Sequence, residues 1–206
     1  MGGTFDPVHN GHLQLAHAAA DDLNRRDVGL MPCYVAPHKT MVTAPAHHRL
    51  AMLEHAVAEY NQQSGTHLYV ETWEMQQDSP SWTAHTVAHF HQLDGRPIVL
   101  VMGMDSFIHL SSWRDAEQLM ASVNIWVGQR DNHQPLPHTQ EANWLKSGQT
   151  QQASDLFHGT GRIYVANNPQ WSISSTVVRD GLIRGTMAHL PESVQAYIRT
   201  HGLYRQ

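Results

Sequence analysis

The sequence predicts an α/β fold, a doubly wound and mostly parallel sheet with helices on both faces. Apolar periodicity switches back and forth between helical and strand spacing along the chain. The strand-like runs are continuously apolar, as strands covered on both faces are. With 206 residues and 41% apolar content, the chain is long enough for one well-buried core, so a single domain over 1–206 is expected.

Each element follows from its own spacing. Residues 13 to 23, "LQLAHAAADDL", set Leu13, Ala16, Ala20 and Leu23 on one helical face, and the apolar run "VGLMPC" (28 to 33) suits a buried strand. "PAHHRLAMLEHAVAEY" (45 to 60) opens on a proline and repeats Leu50, Leu53, Val57 and Tyr60 at helical spacing. "HLYVE" (67 to 71) reads as a strand, and "SWTAHTVAHFHQL" (81 to 93) as a helix with a Ser or Thr cap. "PIVLVM" (97 to 102) is the strongest buried-strand signal, followed by a helix at 113 to 120 and strands at 123 to 128 and 162 to 166. Helices near 175 to 184 and 191 to 201 close the chain. Residues 129 to 160 are polar and Gln-rich, which predicts a surface excursion with one short helix around Trp144. Strands alternating with helices require right-handed crossovers and a Rossmann-like sheet, whose ligands bind at the carboxyl ends of the strands.

The totals narrow the partners. A formal charge of −5 leaves no broad basic face, which weighs against nucleic acid and anionic membrane and favours a small substrate. The lone Cys33 and the lack of a long apolar run fit a reducing compartment, the cytoplasm, without a membrane span. Seventeen histidines stand against two lysines, Lys39 and Lys146, and most of these histidines lie in polar surroundings that read as solvated surface.

Chemistry concentrates at the two ends. The chain has no G-x-x-x-x-G-K-[ST], and its one G-x-G, at 159 to 161, lacks the third glycine because position 164 is Tyr. The opening "MGGTFDPVHNGH" offers another device. Gly2 and Gly3 let backbone N–H groups approach a ligand, and a helix starting near Gly11 or His12 presents its positive end with His9 and His12 at its first turn. A metal site is the weaker reading of the two histidines, since no acidic or third His ligand stands at helical spacing nearby. Near the other end, "WSISSTVVRDGL" (171 to 182) puts Ser174 and Ser175 before an apolar-striped helix with Arg179 one turn in, so that hydroxyls, N–H groups and a guanidinium converge. Taken alone, such a pair of serines is also an ordinary helix cap.

"GGTFDPVHNGH" is similar to the first signature of the H-x-G-H nucleotidyltransferases, and "SISSTVVR" to their second. With "APHK" (36 to 39), "PSWTAHT" (80 to 86), "GMDSF" (103 to 107) and the ending "LPESVQAYIRTHGLY", the chain resembles the bacterial nicotinate-nucleotide adenylyltransferases over most of its length. The resemblance implies transfer of AMP from ATP to nicotinate mononucleotide, with Mg²⁺ carried by ATP and no metal held by the protein itself. It implies catalytic roles for His9, His12, Lys39 and Arg179, with His38 a weaker candidate. It places ATP against Gly2, Gly3, Thr4, Phe5, His9, His12, Gly103, Asp105, Ser174, Ser175, Thr176 and Arg179. It places nicotinate mononucleotide against Thr4, Lys39, Trp82, Thr83, Asp105, Trp113 and Arg114, the two tryptophans facing the pyridine. Trp82 stands where the family commonly has Tyr, and Asp105 also reads as a helix cap. Without the family, either Trp would be a core residue. Relatives carry a short apolar strand before G-G-T-F-D-P, so the first central strand is expected to be missing from the sequence as given. Another adenylyltransferase, such as one acting on phosphopantetheine, a class I aminoacyl-tRNA synthetase fragment, and an inactive nucleotide-binding homologue are the competing readings.

Overall fold

The computed structural model describes residues 1–25, 27–36, 42–129, 133–169 and 171–205, except for the side chain of Asp94. Its strands and helices alternate in chain order: β1 Gly2–Gly3, α1 Asn10–Asp22, β2 Gly29–Pro32, α2 Ala46–Ser64, β3 Tyr69–Val70, α3 Thr83–Asp94, β4 Val99–Gly103, α4 Met104–Phe107, α5 Ala116–Ser122, β5 Asn124–Gly128, α6 Gln140–Gly148, β6 Gln149–Thr150, β7 Ile163–Val165, α7 Ser175–Ile183 and α8 Glu192–His201. Short 3₁₀ turns lie at Trp73–Gln76, Leu110–Ser112 and Ala153–Phe157. Every pairing between described strands is parallel. The strands form two hydrogen-bonded sheets, in the orders β1-β2-β3 and β4-β5-β7-β6.

The chain folds as two compact units. One comprises Gly2–Ala20, Arg26–Ser81 and Ser172–Gln206 and holds the three-stranded sheet. Gly2 and Gly3 themselves form β1, opposite Met31 and Pro32 of β2. Helix α1 begins at Asn10, one residue before the expected start, with its first N–H bonded to the His189 carbonyl (2.8 Å). Helix α8 starts after Pro191 without a capping side chain of its own. Glu59 of α2 caps it instead, accepting from the N–H groups of Glu192 (3.1 Å) and Ser193 (2.7 Å). Burial pushes the Glu59 carboxyl up, but the hydrogen bonds from Ser193 and Glu192 outweigh it and hold the group below its ordinary range.

The other unit comprises Met1, Asp21–Arg25 and Trp82–Trp171. All five residues of β5 are buried, and Phe107, Leu110, Leu119, Ile125 and Ile163 form the centre of its core. Trp126 Nε1 donates to Asp22 (3.0 Å), and the buried Asn124 amide donates to the Leu156 and Gly159 carbonyls while accepting from Arg162 N–H. Three sequence expectations are corrected here. Helix α3 starts at Thr83 with Trp82 as its N-cap and no capping side chain, not behind a Ser or Thr cap. Helix α5 starts at Ala116, because Asp115 takes a left-handed conformation (φ 55°) that a continuing helix excludes. The 129–160 stretch is not a mere surface excursion: Trp144 and Leu156 are buried, and β6 pairs with β7.

Candidate active site

In the unit that carries the opening motif, the turn after β1 is built on Phe5. Its backbone is left-handed (φ 48°), and its ring sits 2.9 Å from the point a Cβ on Gly3 would occupy. Glycine at position 3 is therefore set by Phe5, whereas Gly2 has open space around it. The Phe5 ring meets His12 edge-on at 5.0 Å, and the His9 and His12 rings stack with centroids 3.6 Å apart. His9 is 2% exposed. Its backbone N–H donates to His12 Nδ1 (3.2 Å), the return bond of a helix-capping pair. With Nδ1 accepting, the neutral ring of His12 carries its proton on Nε2. Gly11 makes the stack fit: a Cβ there would lie 3.1 and 3.2 Å from the His9 ring and 3.4 Å from Ile173.

Asp6 joins this turn to the second signature. Its buried carboxylate accepts from Thr43 N–H (2.7 Å), Ala44 N–H (3.0 Å) and the Tyr204 hydroxyl (2.8 Å). Burial, followed by the charge and hydrogen bond of Asp6, pushes the Tyr204 hydroxyl far above the usual tyrosine range. Arg179 donates to the Asp6 carbonyl (2.6 Å) and to Thr176 Oγ1 (3.3 Å), and lies 4.0 Å from the Asp6 carboxylate. Ser174 caps α7 by accepting from Val177 N–H (3.2 Å), and Ser175 Oγ donates to the Pro7 carbonyl (3.2 Å). All three hydroxyls of the second signature thus have local partners. The anion-attracting features of this helix end are its main-chain N–H groups and the guanidinium.

Sequence reasoning missed Asp6, Tyr204 and Arg49. Arg49 is 1% exposed, with its guanidinium donating to the carbonyls of Thr4 (2.7 Å), Tyr34 (2.9 Å) and Ala44 (3.3 Å). A signal was available, since Arg49, Met52, Leu53 and Ala56 form a buried stripe at helical spacing on α2. His38 and Lys39 lie outside the described residues.

The other unit holds the remaining candidates. Gly103 ends β4, and Asp105 sits in the first turn of α4 with Oδ1 2.5 Å from where a Gly103 Cβ would be. Glycine at 103 lets the carboxylate fold back over the strand end. Trp113 is extended, its N–H bonded to the Leu110 carbonyl, and it packs half-buried against the core. The Arg114 guanidinium lies over the Trp82 ring at 5.2 Å, with Nε 3.6 Å from the Asp115 carboxylate. Thr83 opens α3 beside Trp82. The structure thus groups His9, His12, Phe5 and Arg179 with the second signature in one unit, and Trp82, Arg114 and Asp115 in the other.

Comparison with known proteins places the chain. Residues 1–181 match the model of the cytidylyltransferase-like family. The chain is 37% identical over 209 residues to a protein of Aeromonas hydrophila described as a probable nicotinate-nucleotide adenylyltransferase, covering 100% of this chain and 95% of that one. A Saccharophagus degradans protein of the same description is also 37% identical, with 99% and 94% covered. In fold, the chain is similar to the Plasmodium falciparum nicotinic acid mononucleotide adenylyltransferase complexed with NaAD, with a TM-score of 0.71, 19% identity, and 98% and 94% of the two chains covered. No described helix is long and apolar enough to cross a membrane.

Proposed function

Since the chain belongs to the cytidylyltransferase-like family and, within it, to the nicotinate-nucleotide adenylyltransferases, we propose how its own residues carry AMP transfer from ATP to nicotinate mononucleotide in NAD biosynthesis. The 5′-phosphate of the mononucleotide is the nucleophile, and with a second pKa of about 6 it is already largely dianionic near neutrality. A phosphate oxygen attacks the α-phosphorus of ATP, the bond to the β-phosphate bridging oxygen breaks, and pyrophosphate leaves. No general base is needed. What the protein supplies is alignment and a fixed set of donors for charge that develops on the α-phosphate and the leaving group.

One observation carries the reading: His12 is held between the Phe5 edge and the His9 ring, with Nδ1 occupied by His9 N–H. We assign its Nε2–H to the α-phosphate, with His9 stacked behind it. Arg179 and the N–H groups at the start of α7, around Ser174, Ser175 and Thr176, take the β- and γ-phosphates, and Lys39, outside the described residues, is assigned to the triphosphate by the resemblance alone. In the unit that carries the opening motif, Gly2, Gly3, Thr4 and Phe5 are assigned to the nucleotide through main chain; in the other unit, taken by itself, the Asp105 carboxylate beside Gly103 suits ribose hydroxyls. Trp82 and Trp113 face the pyridine, with the N–H groups near Thr83 and Arg114 on its carboxylate. Mg²⁺ would arrive on ATP, held by phosphate oxygens and water. It supplies further neutralisation of the triphosphate. The partners are these two nucleotides rather than nucleic acid or membrane, and the compartment is the cytoplasm.

The test is pyrophosphate release from ATP with nicotinate or nicotinamide mononucleotide, on the wild type and His12→Ala. Removing one such donor is expected to lower kcat by about 10² to 10³, or ~3 kcal/mol of transition-state stabilisation. Turnover of 4′-phosphopantetheine but of neither pyridine nucleotide would overturn the substrate assignment; a His12→Ala enzyme as fast as wild type would overturn the role of His12.

A further inference from the structure

Arg49 has no part in the roles assigned so far, yet its guanidinium is buried and bonded to neutral acceptors from three separate segments. Nη1 donates to the Thr4 carbonyl after β1, with Cys33 Sγ 4.0 Å away, Nη2 donates to the Tyr34 carbonyl after β2, and Nε donates to the Ala44 carbonyl before α2. A buried cation satisfied by carbonyls is a poor device for stability alone, since an apolar side chain of the same volume avoids its desolvation. What a planar fork supplies uniquely is a fixed relation between the groups it bridges.

Two routes run from that fork to groups assigned to the phosphates. The first is through Thr4: with its carbonyl held, the next residue is Phe5, in its left-handed conformation with its ring against His12. The second is through Ala44, whose carbonyl accepts from Arg49 and whose N–H donates to Asp6, the residue whose own carbonyl accepts from Arg179. The strand ends are tied in the same place, Cys33 N–H donating to the Gly3 carbonyl (3.0 Å).

We propose that Arg49 is a positioning residue of the transfer reaction, its guanidinium setting the place of His12 through Thr4 and Phe5 and that of Arg179 through Ala44 and Asp6. This rests on the adenylyl-transfer reading above. Arg49 touches no substrate in this account; it keeps two donors in register.

The experiment compares the wild type, Arg49→Lys and Arg49→Ala in pyrophosphate release, with rates normalised to the folded fraction from near-UV circular dichroism. Lysine keeps the charge and much of the stem but cannot bridge three carbonyls. Arg49→Lys is expected to lose at least about tenfold in kcat and kcat/KM together, with KM for ATP little changed, as displacement of groups that act in the transition state requires. Millimolar guanidinium is expected to restore part of the Arg49→Ala rate, and ethylammonium is not. A folded Arg49→Lys with kcat within about twofold of wild type overturns the proposal, as does a loss confined to KM. Equal rescue by both cations also overturns it, because charge alone would then suffice. If Arg49→Ala does not fold, Arg49→Lys carries the test by itself. A wild type that turns over neither pyridine mononucleotide would refute the transfer reading instead, so the two failures are distinct.

Discussion

Gly11→Ala sets two effects of opposite sign against each other. Gly11 is the second residue of α1 and its φ is not positive, so the backbone accepts alanine. In a helix interior that change is worth up to about 1 kcal/mol in favour of the folded state. Against it, the new Cβ would sit 3.1 and 3.2 Å from two atoms of the His9 ring, closer than ordinary contact, so the ring must yield by a few tenths of an ångström. The energetic terms nearly cancel, and the net change in stability is expected within about 1 kcal/mol, or roughly 2 to 4 °C in Tm for a chain of this size. Activity is not balanced in this way. His9 is buried and stacked at 3.6 Å on His12, so the displacement passes to the ring that carries the Nε2 donor. A misplacement of 1 Å costs about 10² in rate, so a third to a half of that distance should cost roughly 5- to 10-fold in kcat. Thermal unfolding and pyrophosphate release at saturating substrates measure the two sides. An unchanged Tm with wild-type kcat would refute the coupling of Gly11 to His12 through His9, and a large fall in Tm would refute the claimed cancellation.

Three further outcomes follow from other contacts. Tyr204→Phe removes a buried hydroxyl bonded to a carboxylate, worth about 2 kcal/mol, or roughly 4 to 8 °C in Tm; an unchanged urea midpoint would show that Asp6 does not need this partner. The folded Tyr204 hydroxyl is raised above its unfolded value, so its contribution is complete below about pH 10 and lost as pH rises beyond that, a loss that Tyr204→Phe should not show. Arg114→Ala is expected to reduce the preference for nicotinate over nicotinamide mononucleotide by at most about fivefold, because a guanidinium with its side chain 53% exposed contributes no more than ~1 kcal/mol to a carboxylate; equal preference in both enzymes would remove Arg114 from specificity. His48 is lowered below its ordinary range by burial and then by His47 and His201, while its Nδ1 meets the Tyr197 hydroxyl (2.9 Å). A depressed histidine stabilises fully above its unfolded pKa of about 6.5, so stability should fall as pH drops through 6 and fall less in His48→Gln, which urea midpoints across that range would reveal.

The alternation of elements was legible because each core strand is a continuous apolar run. β4 and β5 hold their places through Val101, Met102, Ile125, Trp126 and Val127, all buried, and no competing period disturbs them. Elements made by pairing rather than by side chains were not legible in this way. β6 is Gln149–Thr150, two polar residues made a strand by their register with Ile163 and Tyr164, and the adjoining Gly148 is a glycine because a Cβ would strike the Gly161 carbonyl. The start of α5 was misread for a local reason, the left-handed Asp115, which no apolar period reports. The division into two sheets is a matter of which strand edges meet, and the pattern within single strands does not contain that information.

In the site, the residues whose side-chain chemistry is their own signal were found, and those that act on distant main chain were not. His9, His12 and Arg179 stand in short motifs where imidazole and guanidinium already suggest phosphate. Asp6 stands in the same motif but is explained only by Thr43, Ala44 and Tyr204, up to 198 positions away. Arg49 carries no motif of its own, although a cation in a stripe with Met52, Leu53 and Ala56 has to be bonded inside the fold. The hydroxyls of Ser174, Ser175 and Thr176 show the converse. Sequence reasoning aimed them at phosphate, and the structure engages them with Val177, Pro7 and Arg179. Such local bonds hold the helix end and the guanidinium still before any anion arrives, which is what a reaction without a general base requires: its barrier is lowered by donors already in place, and each partner that fixes a donor contributes to rate without touching the substrate.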